Sequence, residues 1–208
     1  MVRPFLCVGG VLRGEAAPLR RYVVAPKLPK QASSYPPPRT YFYHLDVHGK
    51  LFLHDTWPRN ITTCYKDTRF LNLFFRQLQP TLSQDCYSSV FPFNSLCGKE
   101  VNYLEPADTP IVFTDLILAG NAHSHETSTR RALDKLVWGG TLTFDFDPAQ
   151  VWVHPETGYV YHPSPNTKLC KFALISSSTV LRHIAPTLDV EKAQFQWNGE
   201  TFPISTIS

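Results

Sequence analysis

The chain has 208 residues, of which 43% are hydrophobic and 18% are charged, as is typical of a folded globular protein. Its formal net charge of +3 arises in residues 1–22, which hold four arginines and one glutamate, so the rest of the chain is electrically balanced. This balance argues against a nucleic-acid-binding module, and the absence of an apolar run near the roughly 20 residues that span a bilayer argues against a transmembrane helix.

Residues 1–22 are predicted to be a mitochondrial presequence, because arginines recur among apolar residues with almost no acid. The run Arg20-Arg21-Tyr22 indicates cleavage after Tyr22, and we expect the mature protein in the matrix. A secretory signal is an alternative, although its apolar core would be short and interrupted by two glycines. A cytosolic tail is a third interpretation.

Residues 23–39 are predicted to be a proline-rich linker, because proline fixes φ and removes a backbone donor. The folded part then begins near Thr40. The five cysteines form no C-x-x-C pair, and neither they nor the eight histidines show zinc or iron spacing. We therefore expect free thiols, no metal site and no cofactor.

The first elements of the folded part are a hairpin and a helix. Residues 41–45 and 50–53 alternate as strands around a turn that contains Gly49. A long amphipathic helix is predicted to begin after an N-cap at Asp67 and to end at Pro80. Its apolar face consists of Phe70, Leu71, Phe74, Phe75 and Leu78.

The remainder of the chain is predicted to be rich in strands, with turns at 94–98 and at Asn198-Gly199. A short helix is predicted at 178–184. The predicted strands are 87–93, 99–104, 111–118, 141–146, 151–154, 159–162, 168–176, 194–197 and 201–204.

These elements indicate an α+β fold of mostly antiparallel sheets. We expect an N-terminal α+β half at residues 40–118, an exposed connection at 119–132 and a β-rich C-terminal half at 133–208. Hairpins at both ends of the folded part suggest that the two halves are related.

Glu100 and Asn102 are candidate ligand-binding residues, because alternate residues of a strand project from one face about 7 Å apart. A carboxylate beside an amide can hold hydroxyls, amines or base edges. The alternative is that both side chains pair with a neighbouring strand.

The start of the predicted helix is a second candidate. Lys66, Asp67 and Arg69 surround its unpaired backbone N–H groups, and such a helix end suits a phosphate or carboxylate. The alternative is that Asp67 only caps the helix while both cations are solvated.

Cys97 is a weaker candidate as a catalytic nucleophile, with His162 as its base. A reactive thiolate needs a nearby base or cation, and Lys99 is the one cation beside Cys97 in sequence. Lone cysteines more often behave as small buried apolar residues.

Several short motifs resemble uncharacterised protein family 0598. They are Gly49-x-Leu51-Phe52-Leu53-x-Asp55, Phe91-Pro92-Phe93, Cys97-Gly98-x-Glu100-x-Asn102-Tyr103 and Tyr161-His162-Pro163. The resemblance implies a mitochondrial protein with no assigned activity. Leu96 departs from it, since the family has proline before the Cys-Gly pair, which changes the rigidity of the turn.

The order of elements also resembles, more faintly, a bacterial family with a duplicated α+β core. That resemblance implies a C-terminal half like a pleckstrin-homology domain and a nucleotide-type ligand between the halves. Fold likeness does not transfer function.

The sequence favours a non-catalytic mitochondrial module that binds a small anionic, nucleotide-like ligand or a protein partner. A thiol-dependent hydrolase or transferase that uses Cys97 is one alternative. A structural assembly factor is another.

Overall fold

A computed structural model describes residues 38–119 and 133–207 of the chain. The predicted presequence, most of the proline-rich linker and most of the connection at 119–132 lie outside the described residues. The described part contains two α-helices and strands in three sheets. It is therefore strand-rich, as the sequence predicts.

The first sheet has five strands in the order β2-β1-β5-β4-β3. They are β1 (Arg39–Leu45), β2 (Leu51–Leu53), β3 (Leu78–Pro80), β4 (Phe93–Cys97) and β5 (Glu100–Pro106). The predicted hairpin of β1 and β2 is confirmed. The Asp46 carboxylate stabilises its turn by accepting hydrogen bonds from the backbone N–H groups of His48 and Lys50, at 3.0 and 2.7 Å.

Helix α1 (Thr68–Arg76) begins where the sequence predicts and ends earlier. Asp67 is its N-cap, because the carboxylate accepts from the N–H groups of Arg69 and Phe70 at 2.8 and 2.9 Å. The predicted extension to Pro80 is wrong: the helix has nine residues, and Leu78 pairs with Ser95 in the sheet. Sheet pairing outweighs the helical spacing of Leu78.

Helix α1 lies against one face of the first sheet. Phe74 and Phe75 are buried there, and the Phe74 ring meets the Tyr43 ring edge to face at 5.3 Å. Burying each large apolar side chain contributes about 1.5–3 kcal/mol. This contact fixes the helix over the part of the sheet that contains the candidate residues.

The predicted strand at 87–93 and the predicted turn at 94–98 are both wrong. Residues 83–90 form turns, and the connection from β4 to β5 is the two residues Gly98 and Lys99. Gly98 has φ +64°, as the first position of a type II′ hairpin turn requires. Tyr87 and Phe91 pack on the outer face of the sheet against Phe42. The apolar spacing that suggested a strand therefore reflects packing of these turns onto the sheet.

The later elements follow in chain order. They are β6 (Val112–Ile117), β7 (Lys135–Trp138), β8 (Leu142–Asp145), β9 (Trp152–Val153), β10 (Val160–Pro163), β11 (Phe172–Ile175), α2 (Ser177–His183), β12 (Leu188–Asp189), β13 (Gln194–Trp197), β14 (Glu200–Pro203) and β15 (Ser205–Thr206). The second sheet has the order β15-β9-β10-β11-β6-β7-β8, and β12, β13 and β14 form the third. The predicted short helix and the Asn198-Gly199 hairpin are confirmed.

The sheets are mixed. Within the described ranges, β1 with β5, β6 with β11 and β9 with β15 are parallel, and the other pairs are antiparallel. Strand β6 precedes the predicted division at 119–132 but pairs with β7 and β11 in the second sheet. The related halves and the pleckstrin-homology-like half stay predictions. Neither α1 nor α2, the described helices, is long and apolar enough to cross a membrane.

Candidate functional site

A group of polar side chains lies on the face of the first sheet that α1 covers. The register pairs Ser95 with Asn102 and Cys97 with Glu100 across β4 and β5, and directly opposed residues share a face. We call these four residues and Tyr43 the polar cluster. The structure thus brings together Cys97, Glu100 and Asn102, which the sequence identifies separately.

Hydrogen bonds in the polar cluster join the sheet to the helix. The Ser95 hydroxyl donates to the Phe74 carbonyl oxygen at 2.7 Å and lies 3.5 Å from the Cys97 sulfur. The Asn102 Nδ2 donates to the Ser95 carbonyl oxygen at 3.3 Å. The NH₂ group of Asn102 therefore bonds to the neighbouring strand β4, as the alternative interpretation of this residue predicts.

Tyr43 closes one side of the polar cluster. Its ring lies 5.4 Å from that of Tyr65. Burial, followed by the hydrogen bond to the Tyr65 hydroxyl, raises the pKa of Tyr43 well above its ordinary value. The Tyr43 hydroxyl therefore stays protonated at physiological pH.

Glu100 lies at the open end of the polar cluster, with its side chain 35% exposed. Its salt bridge is to Arg39, at 4.0 Å between Nη1 and Oε1. Lys66 and Arg69 are exposed, and neither forms a salt bridge with any residue in 38–119 or 133–207. The structure therefore does not join the helix start to Glu100 through an ion pair.

His162 lies in β10, in the second sheet, whereas Cys97 lies in the first. The His162 Nε2 accepts a hydrogen bond from the Asp147 N–H at 3.0 Å, and burial lowers the pKa of the imidazole. Three phenylalanine rings lie within 6.0 Å of it, those of Phe113, Phe144 and Phe146. No hydrogen bond joins His162 to Cys97 in the described structure, and His162 has the contacts of a core residue.

A cluster on the outer face of the first sheet escaped the sequence reasoning. One carboxylate oxygen of Glu105 lies 3.2 Å from His44 Nδ1 and 3.1 Å from His54 Nε2. Burial lowers the pKa of His44, although the hydrogen bond to Glu105 opposes that shift. His44 and His54 lie on the same face, because His44 pairs with Phe52 and His54 follows two residues later on the same side. Glu105 lies beside His44 because β1 and β5 pair in parallel. The sequence did not predict this pairing.

An open depression of about 400 Å³ lies where the turn between β1 and β2 meets β6 and the start of α2. It is lined by His48, Gly49, Lys50, Thr114 and Ser178. The turn is pressed against β6: a Cβ placed on Gly49 would lie 2.4 Å from the Thr114 Cγ2. The lining residues include a lysine, a histidine and a serine, and no acidic residue is among them. The Thr114 hydroxyl donates to the Val137 carbonyl oxygen at 3.4 Å, and its methyl group faces Gly49.

Such a set of donors suits a small anion, because charge-assisted hydrogen bonds from ammonium and hydroxyl groups are strong. Sequence reasoning missed this site since its residues come from three separate stretches of the chain. The Gly49 turn was the one signal available, and the approach of Thr114 and Ser178 depends on the packing of β6 and α2.

Comparisons with known proteins give one family and two similar solved structures. A family model described as "Domain of unknown function (DUF4505)" matches residues 31–207. The crystal structure of a DUF1285 family protein from Silicibacter pomeroyi DSS-3 is similar at 17% identity and a TM-score of 0.44, over 86% of this chain and 91% of that one. A DUF1285 family protein from Shewanella baltica OS155 is similar at 14% identity and 0.40, over 68% and 89%.

These values are too low for the two structures to support an argument about function. The family match agrees with the expectation of an uncharacterised domain family. The family number 0598 and the mitochondrial location stay predictions.

Proposed function

We propose that this chain, which belongs to the DUF4505 family of unknown function, is a non-catalytic module that binds a small anionic ligand. The depression at the turn between β1 and β2 carries the proposal. Its lining residues include Lys50 and Ser178 and no acidic residue, although the Asp46 carboxylate already accepts from the backbone N–H groups of His48 and Lys50.

Lys50 is the residue on which affinity should depend most. Its backbone is fixed, because its N–H donates to Asp46 at 2.7 Å and its carbonyl accepts from the Asp46 N–H at 3.0 Å. A hydrogen bond from a charged group to a ligand contributes about 1.5–3 kcal/mol. Lys50 is therefore held at its Cα while its ammonium remains available.

Ser178 would set the geometry around the anion. The Ser178 hydroxyl lies 3.1 Å from the buried Ser176 hydroxyl, which also lies 3.0 Å from Thr179. These linked hydroxyl groups orient the Ser178 side chain at the edge of the depression. The depression has a volume of about 400 Å³ and is open to solvent, so a bound anion would stay partly hydrated.

Thermal unfolding in the presence of inorganic phosphate, nucleoside monophosphates and dicarboxylates tests the proposal. A ligand at a hundred times its dissociation constant should stabilise the fold by about 2.7 kcal/mol. Lys50→Gln should weaken binding at least about tenfold, and Lys66→Gln, which alters the cation that the sequence favours, should leave it unchanged. Loss of binding in Lys66→Gln with retention in Lys50→Gln would place the ligand at the helix start.

A protein partner is the second candidate, and the loop between β2 and α1 favours it. Trp57 is 86% exposed and Ile61 is 65% exposed. The loop is ordered by its own hydrogen bonds, such as that from Arg59 Nη2 to the His54 carbonyl oxygen at 2.7 Å. Tryptophan is enriched among the residues that contribute most to binding at protein interfaces. Such a surface also suits the assembly-factor alternative.

Proximity labelling in intact mitochondria, with wild type and Trp57→Ala compared, tests the partner and the proposed matrix location together. Neighbours that disappear in Trp57→Ala would support docking through this loop. The thiol mechanism has less support, because the nearest side chain with a hydrogen-bond contact to Cys97 is Ser95 and not a base.

A further inference from the structure

The loop between β2 and α1 contains an exposed turn at residues 57–63, which we call the apolar tip. Trp57 is 86% exposed and Ile61 is 65% exposed. The turn is compact, because the Thr63 hydroxyl donates to the Pro58 carbonyl oxygen at 3.1 Å. The apolar tip therefore presents two large apolar side chains to the surroundings on an ordered piece of backbone.

Several polar groups of the apolar tip are bonded within it. The Asn60 N–H donates to the Thr63 hydroxyl at 3.0 Å, and the Thr63 N–H donates to the Asn60 carbonyl oxygen at 3.1 Å. The N–H and the hydroxyl of Thr62 both donate to the Asn60 side-chain oxygen, and Pro58 has no N–H. Polar groups that are already paired cost less to move from water into the polar edge of a bilayer. They also leave less for a protein partner to recognise.

The stretch around the apolar tip contains more positive than negative charges. Residues 54–69 hold three cations and two carboxylates, which are Arg59, Lys66, Arg69, Asp55 and Asp67. The Asp67 carboxylate is engaged as the N-cap of α1. Lys66 and Arg69 are exposed, and neither forms a salt bridge within the part of the chain that the structure describes. Both cations are thus available to an anionic partner.

We propose that the apolar tip, together with Lys66 and Arg69, docks on an anionic membrane surface. Tryptophan favours the boundary between lipid and water because its ring is amphipathic, and Ile61 adds apolar area from the same turn. Such binding depends on the apolar area inserted and on attraction to anionic lipids, and it is reversible. This surface is separate from the anion depression, which Lys50 lines, so either site can fail without the other.

The fluorescence of Trp57 in the full-length chain, mixed with vesicles of equal parts phosphatidylcholine and phosphatidylglycerol, tests the proposal. An exposed indole that enters the lipid boundary should shift its emission to shorter wavelength. Trp57 is the most exposed of the four tryptophans, and subtraction of the Trp57→Phe spectrum isolates its signal. Residues 1–22 hold four arginines and no tryptophan, so any attraction of that segment to the vesicles does not enter the readout.

Charge variants test the electrostatic part. Lys66→Gln and Arg69→Gln should each raise the lipid concentration that gives half of the shift by about fivefold. Asp55→Asn removes a carboxylate that repels the surface and should lower that concentration. Lys168→Gln, which alters an exposed lysine before β11, is the matched control and should change nothing. Lys50→Gln should also change nothing, whereas a lipid phosphate held in the anion depression would make it weaken the shift.

The apolar part is tested by Ile61→Ala, which should weaken the shift at least about fivefold. Leu181→Ala, at a position in α2 that is 69% exposed, is its control and should not. Absence of the shift, an equal shift with phosphatidylcholine alone, or equal losses in Lys66→Gln and Lys168→Gln would each overturn the proposal. An absent shift combined with protein neighbours that Trp57→Ala loses in proximity labelling would assign the loop to a protein partner instead.

Discussion

Gly49→Ala should lower the free energy of unfolding by about 2–4 kcal/mol. Two effects add at this position. Gly49 has φ +75°, and a residue with a Cβ in the left-handed region costs roughly 1–2 kcal/mol. The new Cβ would also lie 2.4 Å from the Thr114 Cγ2 and 3.3 Å from the Val112 Cβ, and overpacking of this kind costs about 1–3 kcal/mol.

A smaller opposing effect comes from the unfolded chain, because alanine has less conformational freedom than glycine. This contributes about 0.4–1 kcal/mol in favour of the fold. Gly158→Ala is the matched control: Gly158 has φ +69° but no atom within 4 Å of a built Cβ. It should therefore lose only about 1 kcal/mol, from the backbone conformation alone.

Urea unfolding of both variants measures the difference. The double variant Gly49→Ala with Thr114→Ser removes the methyl group in the way and should recover part of the loss. If Gly49→Ala were no more destabilising than Gly158→Ala, the turn would not be pressed against β6, and the geometry of the depression would be wrong.

Three further predictions concern other parts of the molecule. Ser95→Ala should lower the free energy of unfolding by about 1 kcal/mol in urea, and an unchanged value would contradict the bond to the Phe74 carbonyl. Burial lowers the pKa of His162 and His44, so the unfolded chain binds protons more tightly. Stability should be full above the unfolded pKa of about 6.5 and should fall as the pH drops below it. His162→Gln should flatten that fall between pH 7.5 and 5.5 in urea titrations, and an identical pH dependence would refute the buried neutral imidazole. Protein isolated from mitochondria should begin at Val23 by mass spectrometry, and an intact N-terminus would refute cleavage after Tyr22.

The sequence was informative where local chemistry determines the structure. The Asp67 cap, the Gly49 turn and the Asn198-Gly199 hairpin each depend on neighbours within a few residues, and all three are present. The end of α1 was not predictable in this way, because Leu78 has helical spacing but pairs with Ser95, which is distant in the chain.

In the candidate site, too, local features were predictable from the sequence and contacts between distant segments were not. Glu100 and Asn102 share a face, as strand alternation predicts, but the alternation does not reveal that α1 covers Asn102. The contact of His44 and His54 with Glu105 depends on the parallel pairing of β1 with β5. Parallel pairing joins strands that are far apart in sequence, and no local pattern indicates it.

The central claim is that the depression beside Gly49 binds a small anion. An NMR titration of the full-length chain with inorganic phosphate and a nucleoside monophosphate tests it most directly, since each backbone amide reports its own surroundings. We predict that the largest shifts occur at Gly49, Lys50 and Ser178 and disappear in Lys50→Gln. Shifts confined to residues 66–70, or no shift with either probe, would contradict the claim.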